Sequence, residues 1–342
     1  MSNVAACSAG RVSNRGTVDD AKWMLETMWM IREFEETMIA CYRRNLIPGF
    51  IHPGIGEEAV HAGASVHLYP DDTVIATHRG HGQAIAKGAS PAKLLAEALG
   101  REMGVFGGRG GSLHFGDPTV GCLPASPLVG GGVGMATGVA LANAMQGSDR
   151  VAVAFFGDGA LNRGSLHEAA NLAAVWKLPI VFACIDNGWA ISVSRSRSTA
   201  GTNRQRAAAY DLPAWEADGK DVFSCVTAMD SAIERAREGG GPSFVFFDCP
   251  RSYGHEEGDA EEYRPPEDRA AARAVDPLVV AEEHMLNGGL VDLGWAHTVR
   301  AKVKNQMSEA LEVALSAPEP DPGGVMAFVR PSEVRREGDR VG

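Results

Sequence analysis

Phe156-Gly157-Asp158-Gly159 closes one apolar run, Val151–Phe156, and Asp186-Asn187-Gly188 closes a second, Ile180–Ile185. Short apolar runs of this length, bounded by turn residues, read as strands buried on both faces. Asn162–Trp176 between them reads as a helix. Strand, helix and strand at this spacing make a βαβ unit, which predicts an α/β fold: a parallel sheet with helices on both faces. The ends of such strands converge on the carboxyl edge of the sheet, so Asp158 and Asn187 point into one crevice.

An Asp carboxylate and an Asn carbonyl are hard oxygen ligands, and Mg²⁺ takes a few such oxygens completed by phosphates and water. The glycines flanking Asp158 let backbone amides approach a diphosphate. A bare Gly-Asp-Gly also reads as a plain strand-to-helix turn. With Asn187 after the second strand, the pair reads better as a metal-diphosphate cradle.

Towards the N-terminus, Leu25, Met28, Ile31, Phe34, Met38 and Tyr42 recur at three- and four-residue steps, so Ala21 to about Arg44 is an amphipathic helix. Short helices follow at Glu57–Leu68 and Pro91–Leu99, with Thr73–Thr77 extended between them. Residues 21–103 therefore read as a helical arm behind a mobile N-terminus at 1–20. Gly104–Gly116 is rich in glycine and reads as a backbone-exposing loop. It opens an α/β core over 104–290, with a helix at Val133–Met145, a long mobile loop at Ser192–Tyr210, a helix at Asp221–Arg237 and a strand at Ser243–Asp248. Helices at Pro277–Leu286 and Leu293–Leu315 close the fold, the C-terminal one within 291–316, and the charged, Pro/Gly-rich tail 317–342 has the composition of a disordered segment.

With 342 residues, 45% of them hydrophobic, the chain can bury one large core or two modest ones. A formal charge of -11 argues against a nucleic-acid surface, which needs basic stripes. No apolar run approaches the ~20 residues of a membrane helix, and the N-terminal residues lack the apolar stretch of a secretory signal. The six cysteines are scattered without a CxxC pair, which fits a reducing cytoplasm.

Gly157-Asp158-Gly159 through Asp186-Asn187 resembles the thiamine diphosphate fingerprint, and the intervening Glu168–Pro179 is similar to the E1 α subunits of 2-oxo acid dehydrogenases and acetoin dehydrogenase. Gly49-Phe50-Ile51-His52, Arg79-Gly80-His81-Gly82, Gly110-Gly111-Ser112-Leu113-His114 and Gly254–Asp259 with Tyr263-Arg264 agree, in family order. The resemblance implies thiamine diphosphate and Mg²⁺ as cofactors, with Asp158, Asn187 and the carbonyl of Trp189 as metal ligands. It sets Gly157, Gly159, Ala160, His78 and Arg79 against the diphosphate, and Leu128 and Val129 against the aminopyrimidine. It implies that His255 lies near diphosphate and substrate, with His52, His81 and His114 at further active-site positions.

Three departures from the family pattern stand out. Asp186 replaces the first Asn of the fingerprint, His78 stands where a Tyr commonly precedes the diphosphate Arg, and Glu256 replaces the regulatory Ser of mitochondrial members. By the resemblance, the catalytic Glu belongs to a β-type subunit in an α₂β₂ assembly, and the cleaved unit passes to a lipoyl domain or another acyl-carrier-type acceptor. The donor stays open among pyruvate, acetoin, a branched 2-oxo acid and, in transketolase-like pairs, a ketose phosphate. A nicotinamide reductase is the rival reading, through the glycines of Gly132–Gly138 with Asp158 as the ribose-binding acid. That pattern requires a strand immediately before the glycines, and Pro124 and Pro127 stand there instead. A non-catalytic scaffold is the third reading.

Overall fold

The computed structural model describes residues 17–326. Readings that fall on 1–16 and 327–342 lie outside the described residues. The first half runs α1 (Val18–Arg43), α2 (Glu58–Ser65), β1 (Thr73–Ile75), α3 (His81–Ala86), α4 (Pro91–Ala98), β2 (Cys122–Leu123), α5 (Gly131–Met145), β3 (Ala152–Gly157) and α6 (Gly164–Trp176). There follow β4 (Ile180–Asp186), β5 (Trp189–Ala190), β6 (Val193–Ser194), α7 (Arg195–Ser198), α8 (Asn203–Ala208), β7 (Ala214–Asp218) and α9 (Val222–Arg237). The described chain closes with β8 (Ser243–Asp248), α10 (Pro266–Ala274), α11 (Pro277–Asn287) and α12 (Leu293–Ser316).

Six parallel strands form one sheet in the order β2-β1-β3-β4-β8-β7, and β5 and β6 form a small antiparallel ladder. Side chains alternate across a strand, and β3 shows the result. Val153 and Phe155 pack with Val60 of α2 and Met229 of α9, whereas Ala152, Ala154 and Phe156 pack with Val133 of α5 and Leu166 of α6. Both faces are covered, so β3 and β4 are buried almost throughout and read as unbroken apolar runs.

Two expectations need correction. Residues 21–103 are not a separate arm, because β1 lies inside the sheet between β2 and β3. A three-residue strand is too short to show a period. Asp72 fixes it in place, its carboxylate accepting from Val151 N at 2.7 Å and pairing with Arg237 at 2.6 Å. Ser192–Tyr210 is not one long loop but holds β6, α7 and α8, the last started by a capping box between Thr202 and Gln205. Its cohesion is polar: Arg206 donates to Leu161 O and Asn162 Oδ1 at 2.9 and 2.8 Å. Apolar periodicity carries no trace of such bonds. Of the C-terminal tail, 317–326 is described and tied back, Glu102 N donating to Pro318 O at 2.9 Å.

Candidate functional site

In the parallel pairing of β3 with β4, Gly157 lies opposite Ile185, so the chain leaves both strands at one level and brings Asp158 beside Asp186 and Asn187. Around these ends opens a cavity of about 300 Å³. Thr77, His78 and Arg79 reach it from the end of β1, Ser126–Gly130 from the segment before α5, and Gly157–Ala160 from the end of β3. Asn187, Trp189, Ala190 and Ile191 close it on the β4 side, with His255 from the segment after β8. In an open parallel sheet the crevice outside the carboxyl ends of the strands is where a ligand binds, and the cavity lies at that edge.

Asp158 is 2% exposed. Burial first, and then the charge of Asp186, push its carboxyl up to about 6, against the pull of Arg195. Asp186 itself is compensated: Arg195 Nη1 lies 2.7 Å from one carboxylate oxygen and Asn203 Nδ2 donates to it at 3.1 Å. The extra charge at the first fingerprint position is therefore held by α7 and α8. Asn187 Oδ1 accepts from Trp189 N at 3.1 Å, which fixes the amide and leaves a second lone pair. A side chain on Gly159 would bring its Cβ within 3.1 Å of Ala190 Cβ, so the close approach there favours glycine. Ile191 has a φ of 55°, a left-handed conformation costing a β-branched residue about 1–3 kcal/mol. Strain of this kind collects at functional sites, and no sequence period reveals it.

Arg79 is buried. Its Nη1 donates to Pro53 O at 2.7 Å and its Nη2 to His255 O at 2.9 Å, while Nε has no hydrogen-bond partner among the described residues and faces Glu57 at 3.7 Å. The guanidinium thus ties the His255 segment to the cavity wall and keeps further N–H groups for an anion. Asp259 secures the same segment, accepting from His255 N at 2.7 Å and from Tyr263 OH at 2.5 Å.

His52, His78 and His255 form one cluster, with ring centroids 4.8 to 5.6 Å apart. Burial first, and then Arg79, lower all three, His52 to about 3 and His255 to about 4. They are neutral at pH 7, and His78, like His255, lines the cavity. The unfolded chain protonates these rings near pH 6.5 but the fold does not, so the unfolded state binds more protons below that pH. Stability is therefore expected to fall as pH drops through 6.5 towards 4. Urea unfolding at pH 7 and pH 5 checks this, and His52→Asn should flatten the fall.

Three of the expected histidines do not line the cavity: His52 packs against the rings of His78 and His255 without being part of the lining, and His81 and His114 stand apart from it. His81 is fully buried: its Nδ1 lies 2.9 Å from Glu35 Oε1 and its Nε2 2.9 Å from Ser112 Oγ, and its ring packs against Phe34 and Phe115. It braces α1, α3 and the glycine-rich segment and is not part of the cavity lining. His114 is exposed and outside the cavity. The glycine-rich segment also differs from expectation. Its amides face Glu97, whose carboxylate accepts from Phe106, Gly108, Gly110 and Gly111 N at 2.6 to 3.3 Å. An internal carboxylate takes the donors that a phosphate would need. Gly132 and Gly138 lie within α5, which removes the strand-to-helix turn of a dinucleotide site. Sequence reading missed Ile191 and Arg163, both in the cavity lining.

The family described as "Dehydrogenase E1 component" matches residues 26–323. The chain is 43% identical over 254 residues to the α subunit of acetoin:2,6-dichlorophenolindophenol oxidoreductase of Bacillus subtilis, covering 74% of this chain and 76% of the relative. It is 39% identical over 304 residues to the protein of the same name in Cupriavidus necator, covering 88% and 91%. To the α subunit of the pyruvate dehydrogenase E1 component of Rhizobium meliloti it is 35% identical over 321 residues, covering 92% and 90%. With the match spanning the sheet and every cavity-lining residue, the chain belongs to the thiamine diphosphate-dependent dehydrogenase E1 component family, among its α subunits.

Proposed function

We propose that this chain is the α-type subunit of a heteromeric thiamine diphosphate enzyme that cleaves the bond next to the carbonyl of a 2-oxo acid or acetoin and passes the unit to a lipoyl-type carrier. The observation that carries the reading is Asp158, a buried carboxylate raised to about 6 beside Asn187 at a glycine-flanked strand end. A carboxyl so placed gains from a cation, and an all-oxygen set completed by a diphosphate suits Mg²⁺. Asp158, Asn187 Oδ1 and the carbonyl of Trp189 would hold the metal.

Thiamine diphosphate, when bound, supplies the carbanion-stabilising centre for this chemistry. The chain's own residues bind and orient. Gly159 and Ala160 offer a close backbone approach, Arg79 offers its remaining N–H groups to the diphosphate, and Leu128 and Val129 stand at the mouth for the aminopyrimidine. Neutral His78 and His255 present hydrogen-bonding rings without adding charge beside the substrate.

A β-type partner fits the outer face of α5 and α6. Met135, Met145, Val175 and Trp176 are 43%, 80%, 68% and 50% exposed, and a Cβ on Gly134 or Gly138 would meet nothing within 4 Å. Exposed apolar residues gathered on two packed helices mark an association surface.

Calorimetry on the co-expressed α/β pair tests the reading. Thiamine diphosphate should bind with Mg²⁺ and weakly without it, and NAD should not bind. Arg79→Gln should weaken cofactor binding about 10- to 100-fold, the worth of a charge-assisted hydrogen bond. Tight NAD binding with no response to thiamine diphosphate would overturn it.

A further inference from the structure

Arg79, Glu57 and His61 form a buried row behind the cavity wall. They are 3%, 5% and 0% exposed, and of the three only Arg79 lines the cavity. Glu57 stands between the other two. Its Oε1 lies 3.7 Å from Arg79 Nε and its Oε2 3.5 Å from His61 Nε2, both beyond the ~2.7–3.2 Å of an N–H···O hydrogen bond. Glu57 is also the N-cap residue of α2, yet its carboxylate does not cap the helix.

Neither ring nitrogen of His61 has a hydrogen-bond partner among the described residues, and nor has Arg79 Nε. A buried polar group without a partner destabilises a fold, so an apolar side chain would serve packing better at this position. The ring is fixed in place. It meets Phe155 of β3 edge-on at 6.3 Å between centroids, and a Cβ on Gly82 would come within 2.2 Å of its Cδ2. Nε2 is therefore held near a carboxylate without being bonded to it.

Arg79 does not need Glu57 for its position, because Pro53 O and His255 O hold its two Nη groups. What Glu57 supplies is charge. Burial lowers the guanidinium's hold on its proton, and Glu57 is foremost among the groups that oppose this, ahead of Glu35, whose Oε1 is taken by His81. When Arg79 turns its charge to a diphosphate, Glu57 loses its counter-charge in a buried place. His61 Nε2 is the unbonded donor within reach, and the tautomer with its proton on Nε2 can donate without taking up another.

We infer that Glu57 is the resident counter-charge of Arg79, competing for it with the cofactor's diphosphate, and that His61 is a positioning residue that takes over the Glu57 carboxylate once Arg79 is engaged. This rests on the proposed function and deepens it: the pair behind the wall sets how tightly the diphosphate is held.

The test uses the co-expressed α/β pair, with calorimetry of thiamine diphosphate and Mg²⁺ binding and thermal unfolding without cofactor. Glu57→Gln should unfold at a lower temperature without cofactor, because the buried arginine is left uncompensated. It should nevertheless bind the cofactor about 10-fold more tightly, the competing charge being gone. His61→Leu should leave cofactor-free unfolding unchanged or raised and weaken cofactor binding about 10-fold, the worth of a hydrogen bond to a charge. His61→Gln, which keeps an N–H donor, should bind as wild type does, and in the Glu57→Gln background His61→Leu should not change affinity. A merely structural role would move stability and affinity in the same direction. His61→Leu and His61→Gln binding alike, or Glu57→Gln binding more weakly than wild type, overturns the inference. If Glu57→Gln does not assemble, the two His61 variants decide it. A wild-type pair that binds no thiamine diphosphate overturns the proposed function and this inference with it, and that failure is seen before any variant is made.

Discussion

Replacing Asp158 by Asn is expected to abolish Mg²⁺-dependent cofactor binding while making the metal-free chain more stable. The two effects share one cause. Burial and Asp186 raise the carboxyl to about 6, so at pH 7 the fold holds a charge that it would rather release. A carboxylate raised on folding is a penalty, present above its folded pKa and relieved as pH falls through about 6 towards 3.8. Removing it should stabilise the metal-free chain by on the order of 2–3 kcal/mol, the worth of a shift of that size. The same charge is what the metal requires, so cofactor affinity should fall more than about 100-fold, the cost of leaving buried partners of a charge unpaired. Thermal unfolding without metal and calorimetry with Mg²⁺ and thiamine diphosphate read the two arms separately. A variant that loses stability without metal would refute the assignment of Asp158 as a metal-poised carboxylate; one that keeps full affinity would refute its place in the cradle.

Asp158 and Asn187 were legible in the sequence because β3 and β4 are buried on both faces. Burial of that kind leaves apolar runs with sharp ends, and the candidate ligands Asp158 and Asn187 stand at those ends. β1, β2 and β7 left weaker traces: β1 and β2 have only three and two residues, and β7 is an edge strand with a single buried residue, Ala217. The histidines divide on a different ground. Short motifs give positions along a chain but not the direction of a side chain, so His255 lines the cavity with His52 packed against its ring, whereas His81 turns inward to Glu35 and Ser112. Arg163 and Ile191 had no signal to find. One is a cation in an unsuitable capping position and the other a residue in a left-handed turn, and both become visible only when the backbone is known.

The purified chain by itself should show no turnover, less than about one part in 1,000 of the α/β pair, and should bind thiamine diphosphate poorly. The cavity lining contains one carboxylate, Asp158, and that group is the proposed metal ligand. Glu57 approaches Arg79 at 3.7 Å and is buried beneath it, and Glu35 is occupied with His81. No carboxyl among the described lining residues is left to move a proton at the aminopyrimidine, and a missing general acid or base costs about 100- to 10,000-fold. The geometry of the mouth points the same way. Leu128, Val129 and Ile191 line the cavity yet are 74%, 51% and 58% exposed, so the ring end of the cofactor would meet water where a second subunit should exclude it. Adding a β-type chain should restore both affinity and rate together, because one surface supplies the acid and the seal. Decarboxylation assays and sedimentation on the separate and mixed chains decide the matter: robust 2-oxo acid decarboxylation by the isolated chain would mean that it holds its own catalytic acid, and the two-chain reading would fall.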